Sequence, residues 1–393
     1  MLALGIADAH SAFFSEETGV DWNVIFLLLG MMVIVSVMRE TGVFEFLAIW
    51  AAKRARGRPF PLMVLLILIT ASASALLDNV TTVLLVAPVT ILICQRLALP
   101  VVPYLIAEVF ASNIGGTATL VGDPPNIIIA SRGGLTFNDF LAHLAPVVLV
   151  LLVAQVALCR WLFSSAFRTD ADRVASIMAL DEREAIGDRT LLVQSLVVLG
   201  LVLLAFVFHP VLGYEPSVVA LLGAGLLVAV TRVTTEQALQ DVEWPTLAFF
   251  MGLFVMVGGL VEAGVLGALA DAIGGFAGEN LPLFTGILLW GSGVLSGVVD
   301  NIPYVASTAP VVAGLVGPDG QPQVLWWALA LGADLGGNAT LIGASANVVV
   351  AGIAARNGYP IRFWQFTRIG LVVTFATLLI ASGYVALRYF LLA

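Results

Sequence analysis

The sequence is short of charge. Only 11% of its 393 residues are Asp, Glu, Lys or Arg, against about a quarter in a soluble globular domain, which excludes a water-soluble fold. Lysine occurs once, at Lys53, and histidine three times, at His10, His143 and His209. Two cysteines, Cys94 and Cys159, form no disulfide framework and have no metal-ligand spacing, so each reads as a small apolar helix residue. No catalytic residue, resident metal or organic cofactor is expected beyond a bound Na⁺. The net charge of −9 sits in loops, and no nucleic-acid partner is expected. What is abundant is apolar residue, 60% of the chain, in runs long enough to cross a bilayer. These features define an all-α integral membrane protein.

An internal repeat organises the chain. An offset of 222 carries Trp22 to Trp244, Gly30 to Gly252, Glu40 to Glu262, Asp78 to Asp300, Asn79 to Asn301 and Pro88 to Pro310. Near a second motif it becomes 221, pairing Gly115 with Gly336, Gly116 with Gly337, Thr119 with Thr340, Gly122 with Gly343 and Asn126 with Asn347. So steady an offset marks a duplication. It divides the chain into a first repeat at 1–164, a linker at 165–189 that includes Asp170 and Asp172, and a second repeat at 190–393. Two spans precede Trp244 but only 21 residues precede Trp22. An N-terminal segment of roughly 30 to 60 residues, one to two spans, is therefore expected to be missing from the first repeat. The first residues, Met1-Leu2-Ala3-Leu4-Gly5-Ile6, show no basic n-region.

Full crossings are expected near 22–40, 103–131, 143–163, 191–209, 216–231, 245–262, 324–353 and 369–391. Residues 60–96 and 282–316 are apolar stretches interrupted by Asp78-Asn79 and Asp300-Asn301. Each is read as a re-entrant hairpin, because that topology gathers the basic residues on one side. Lys53, Arg54, Arg56, Arg58, Arg96, Arg168, Arg173, Arg183, Arg189, Arg232, Arg356, Arg362 and Arg368 then lie inside, and only Arg132 and Arg388 fall near the outer face. The two repeats are inverted in this scheme. Segments 43–56 and 265–273 read as interfacial amphipathic helices.

The candidate site lies in two polar stretches and their repeats. The first is Asp78-Asn79-Val80-Thr81-Thr82, with Asp300-Asn301-Ile302-Pro303-Tyr304 as its partner. The second is Asn113-Ile114-Gly115-Gly116-Thr117-Ala118-Thr119-Leu120-Val121-Gly122-Asp123-Pro124-Pro125-Asn126, answered by Asp334-Leu335-Gly336-Gly337-Asn338-Ala339-Thr340-Leu341-Ile342-Gly343-Ala344-Ser345-Ala346-Asn347. Irregular backbone at membrane depth persists only where it lines a cavity or is buried in protein. Broken helices in matching places of two halves point to a transporter's central site. The Asn and Thr side chains supply hard oxygen ligands suited to Na⁺. Asp78, Asp123, Asp300 and Asp334, with Glu108 in the same span as Asn113, are carboxylates that cost roughly 2.5 kcal/mol or more each at that depth. With no basic partner expected there, they are assigned to proton or cation coupling. Glu40 and Glu262 sit near span ends and read as snorkelling residues.

Leu77-Asp78-Asn79-Val80-Thr81-Thr82, Gly115-Gly116-Thr117-Ala118-Thr119 and Gly122-Asp123-Pro124-Pro125-Asn126 together resemble the ion transporter superfamily. Within it, the chain looks most like the branch of arsenite permeases, NhaD-type sodium/proton antiporters and the pink-eyed dilution (P) protein. The resemblance implies a scaffold domain plus an elevator-type transport domain carrying the hairpins and broken helices, and a homodimer. Dicarboxylate-carrying relatives have a neutral Ser-Asn-Thr at each hairpin tip, where this chain has Asp78-Asn79-Val80 and Asp300-Asn301-Ile302.

An intramembrane aspartyl protease would need Gly-x-Gly-Asp, which Leu120-Val121-Gly122-Asp123 lacks. A rhomboid-like protease would need Gly-x-Ser-Gly and a deep histidine, and Trp290-Gly291-Ser292-Gly293 lacks the first glycine. A passive channel fits inverted halves less well than alternating access does. The expectation is a secondary active transporter in a bacterial inner (cytoplasmic) membrane, moving a small inorganic ion by Na⁺/H⁺ antiport. Metalloid efflux as arsenite, and cation-coupled carriage of an organic anion, are the alternatives.

Overall fold

A computed structural model describes residues 9–15, 18–167, 181–317 and 322–392, and these form helices with no strand. Lipid offers backbone groups no partner, and a helix satisfies them within the segment. Among the described residues, eight helices are long and apolar enough to cross a bilayer.

The first half contains α1 (Ala9–Phe14), α2 (Trp22–Arg39), α3 (Val43–Arg54), α4 (Pro59–Leu76), α5 (Asn79–Leu97), α6 (Val101–Gly116), α7 (Pro124–Gly133), α8 (Phe137–His143) and α9 (Ala145–Leu162). The second contains α10 (Arg189–Leu212), α11 (Pro216–Val230), α12 (Thr235–Gln240), α13 (Trp244–Glu262), α14 (Val265–Glu279), α15 (Leu281–Val298), α16 (Asn301–Leu315), α17 (Val324–Gly336), α18 (Ser345–Arg356) and α19 (Phe363–Ala386). The repeat is visible as structure: α2 to α7 answer α13 to α18 in order, and α9 answers α19.

Two broken helices appear as expected, and two boundaries differ from the sequence reading. The expected breaks divide the crossings at 103–131 and 324–353 into α6 with α7 and α17 with α18, at glycine-rich turns. The last crossing begins at Phe363 rather than 369, and the helix placed at 265–273 continues to Glu279. Linker residues 168–180, with Asp170 and Asp172, lie outside the described residues. The linker's end is anchored on α3, where Lys53 donates a hydrogen bond to Glu182 and holds that carboxylate below its usual range.

The helices pack in two groups. One joins α2 to α11, α11 to α10 and α13 to α2. The other joins the hairpin α4–α5 and the hairpin α15–α16 to the broken helices, with α9 against α19. Packing between the halves is crosswise: α5 lies on α18, and α16 lies on α7. Three of the four hairpin arms, α4, α5 and α15, are long enough to span and α16 is shorter, yet each tip ends beside a mid-span break. That meeting makes the hairpins re-entrant.

The inverted topology can be checked by labelling. Cysteine at Arg58, an exposed residue, should react from the cytoplasmic face, and cysteine at exposed Gly278 from the outer face. Arg58 serves better than Gly57, whose φ of +64° suits glycine. The native Cys94 and Cys159 are buried and leave the background low. Labelling of both positions from one face would refute the inversion.

Candidate functional site

Each break is set by close backbone approach. A Cβ on Gly115 would sit 2.3 Å from the Ala71 carbonyl oxygen, and one on Gly336 2.5 Å from that of Gly293. Across the first break, Gly116 and Gly122 face each other so closely that a Cβ on either meets the other's carbonyl oxygen, at 2.5 and 2.4 Å. In the second break, a Cβ on Gly343 would lie 2.8 Å from the Gly337 oxygen. Pro124 and Pro125 begin α7 without needing the amides a helix start leaves unpaired. The second break has neither proline, yet Ala344 has nearly the backbone of Asp123, with φ −148° and ψ 145° against −143° and 134°. The glycine contacts, shared by both halves, shape the turn.

Hydrogen bonds repeat with the sequence. Asn126 donates through Nδ2 to the carbonyls of Gly116 and Thr119, and Asn347 does the same to Gly337 and Thr340. Thr119 donates to Ala75 O and Thr340 to Gly297 O, each at 2.6 Å. Ser74 donates to Ser112 O and Ser296 to Ala333 O. Thr117 bonds back to Asn113 O in its own helix. These contacts tie each broken helix to its hairpin, and they give Thr117, Thr119 and Thr340 structural work. Ser74 and Ser296 escaped the sequence reading, although the offset of 222 that relates them was available.

Both hairpin tips converge on Asp123. Asn79 Nδ2 donates to Asp123 Oδ2 at 2.8 Å, and Asn301 Nδ2 donates to Asp123 Oδ1 at 3.4 Å. Asp123, Asn79, Asn301, Asn113, Asn126, Asp334, Asn338 and Asn347 are all buried. Asp78, Asp300 and Asp334 lie within electrostatic reach of Asp123. Asp78 and Asp300 also cap helices: Asp78 accepts from the Thr81 amide, and Asp300 from the Ile302 amide and the Ser345 hydroxyl. Thr82 is buried with its hydroxyl unpartnered. Glu108 stands apart from this cluster: Thr90 donates to its Oε1, and its Oε2 has no partner.

The direction of the amide chain is fixed by backbone. Asn347 spends Nδ2 on two carbonyls, so it turns Oδ1 toward Asn113, whose Nδ2 donates to it at 3.1 Å and to Asn338 Oδ1 at 2.9 Å. Asn113 Oδ1 then accepts from Asn79 Nδ2 at 3.2 Å. This ordering leaves the Oδ1 atoms of Asn79 and Asn126 without partners, and both oxygens of Asp334 without a well-aligned donor, the Thr117 hydroxyl and Asn126 amide beside them being spent on backbone carbonyls. Only Asn338 Nδ2 among these core amides and carboxylates is an unpartnered donor. Buried polar groups are normally paired, so four orphaned acceptor oxygens call for an occupant that accepts electron density. No Lys, Arg or His among the described residues hydrogen-bonds to this cluster.

The repeat breaks its symmetry here. Asp123 faces Ala344 across the offset, and Asp334 faces Asn113. Each half thus contributes one deep acid at a different step of the break. A further acid, Glu243, precedes α13 and lies within electrostatic reach of Asp78. Its repeat counterpart Asp21 caps α2 by accepting from the Val24 amide. The shared acid before Trp22 and Trp244 was a usable sequence signal.

The sequence model of the CitMHS family, described as citrate transporter, matches residues 1–332. The chain is 58% identical to a transporter of Mycobacterium tuberculosis (strain H37Rv), with 100% of this chain and 92% of the relative covered. It is 34% identical to the P protein of Mus musculus, over 99% of this chain and 56% of that one. The crystal structure of the YdaH transporter of Alcanivorax borkumensis superposes with a TM-score of 0.61 at 13% identity, covering 98% of this chain and 87% of the other. That likeness bears on the fold.

Proposed function

This chain belongs to the CitMHS family of membrane transporters, and from that premise we propose that it exchanges Na⁺ for H⁺. One observation carries the reading. The orphaned oxygens of Asn79, Asn126 and Asp334 beside Asp123 form an acceptor-rich site with no basic side chain among the described residues bonded to it. A carboxylate that must release a proton before it takes a cation couples the two ions without further machinery. In this mechanism Asp123 and Asp334 bind the cation or the proton, and Asn79 and Asn301 report occupancy to the two hairpin tips. The hairpins and broken helices move as one body against α2, α10, α11 and α13 in a homodimer.

A second reading rests on the four helix N-termini at the site, those of α5, α7, α16 and α18. Their partial positive charge suits an anion, and a citrate-like carboxylate could enter with the cation. Proteoliposomes with a trapped pH dye separate the two. The proposal expects a Na⁺ gradient alone to drive saturable proton movement. If citrate uptake occurs and Na⁺ alone moves no protons, the second reading replaces the first.

Asp334→Asn tests the cation site. Removing a charged ligand costs about 1.5–3 kcal/mol, so the Na⁺ concentration for half-maximal exchange should rise roughly 10- to 100-fold. An unchanged half-maximal concentration would remove Asp334 from the site.

A further inference from the structure

A groove of about 470 Å³ runs along the outer arm of the first hairpin. Its walls include Leu47 and Trp50 of α3, Leu65, Ile69 and Leu76 of α4, and Leu199 of α10, and Ser72 is the only polar residue lining it. So apolar a cavity does not hold ordered water. It opens on the lipid-facing surface, where Trp50, Leu68, Leu76 and Leu196 are exposed. From Leu65 to Leu76 the α4 wall is about 17 Å long, close to one leaflet's share of a hydrocarbon core about 30 Å thick.

The chain just beyond the groove's α3 wall is basic. Val43, Leu47 and Trp50 line the groove, and Arg54 continues the same stripe of α3 at helical spacing. Arg54, Arg56 and Arg58 are exposed, and none has an ion pair among the described residues. Trp50 sits between this basic stretch and the apolar trough, the position of an interfacial aromatic. The lining also includes Leu76 and Leu77, the residues immediately before Asp78.

We propose that this groove binds one anionic phospholipid of the cytoplasmic leaflet. An acyl chain lies along α4 toward the hairpin tip, and the phosphate rests on Arg54 with Arg56 and Arg58. Both features fit such a lipid: hydrocarbon fills a trough water will not wet, and an anionic head group would meet the exposed Arg54 that continues the lining stripe of α3, with Arg56 and Arg58 following it in the chain. Because α2 and α10 form one wall and α4 the other, the chain occupies the seam between the scaffold group and the first hairpin. Occupancy therefore bears on how freely that hairpin moves.

The test reads binding rather than transport, so its failure leaves the Na⁺/H⁺ reading untouched. Purified protein in detergent is titrated with phosphatidylglycerol or phosphatidylcholine brominated in mid-chain. The quenching lost in Trp50→Phe gives the signal of Trp50 among the eight tryptophans. Phosphatidylglycerol should quench Trp50 at a mole fraction at least about fivefold lower than phosphatidylcholine. Arg54→Ala should raise the phosphatidylglycerol requirement about fivefold, as loss of one basic contact implies. Ser72→Phe, which fills the trough away from the arginines, should reduce Trp50 quenching by phosphatidylglycerol. Equal quenching by the two lipids in the wild type would overturn the proposal. So would Arg54→Ala or Ser72→Phe with an unaltered phosphatidylglycerol titration.

Discussion

Asp123→Asn is expected to abolish Na⁺-driven proton exchange, lowering the initial rate by at least about 100-fold, while the protein remains folded in the membrane. Asp123 is fully buried and accepts from Asn79 on one hairpin tip and Asn301 on the other. An asparagine there offers one oxygen to two donors, and its own NH₂ faces the second. Leaving a buried group unsatisfied costs about 1–3 kcal/mol, and losing hydrogen bonds to a charge about 1.5–3 kcal/mol. Together these come to about 2.5–6 kcal/mol, which reaches or passes the roughly 2.7 kcal/mol that corresponds to a hundredfold change. No acid at Ala344 replaces the lost group, since the second repeat lacks one there. The measurement is dye-reported pH change in proteoliposomes, with monodisperse elution as the folding control. Wild-type flux with a wild-type pH profile in this variant would make Asp123 a structural residue and sink the coupling mechanism.

Gly122→Leu should likewise end transport, for a steric reason. The first atom of any side chain at 122 would lie 2.4 Å from Gly116 O and 2.8 Å from Ser74 O, both backbone atoms that have no room to turn aside. The break must then open, which displaces Asp123 one residue away. Gly343→Leu should also fail, but its contact at 2.8 Å is looser. Gly343→Ala is therefore expected to retain more activity than Gly122→Ala, where overpacking costs about 1–3 kcal/mol or more. Gly200→Leu is the control: nothing lies within 4 Å of its added carbon, and transport should be unchanged. Normal transport by Gly122→Leu would show that the break does not depend on this approach.

The repeat and the fold class were legible in the sequence because both are local or periodic properties. Apolar runs specify spans wherever the solvent is lipid, and a nearly constant offset from Trp22 to Asn126 identifies the duplication without any knowledge of contacts. The polar motifs were legible for a related reason: glycines and acids inside such runs are costly enough to mark a site. What each motif residue does was not legible. Asn126 and Asn347 brace backbone turns, Thr119 and Thr340 fasten hairpins, and Asp78 and Asp300 cap helices, while Asp123 receives both tips.

Those assignments are decided by contacts between residues far apart in the chain. Asn301 reaches Asp123 across 178 residues, and Asn113 reaches Asn347 across 234. Spacing within a helix says nothing about such pairs. Whether an amide presents its oxygen or its nitrogen to the centre follows from which backbone carbonyls its other atom already meets. The sequence by itself determined the helical membrane class, the duplication and where the polar breaks fall, because one-dimensional patterns set the cost of each segment in lipid. Only the tertiary structure decided which oxygens remain unpaired at the centre and that Glu108 lies outside it, because pairing is a property of the packed whole.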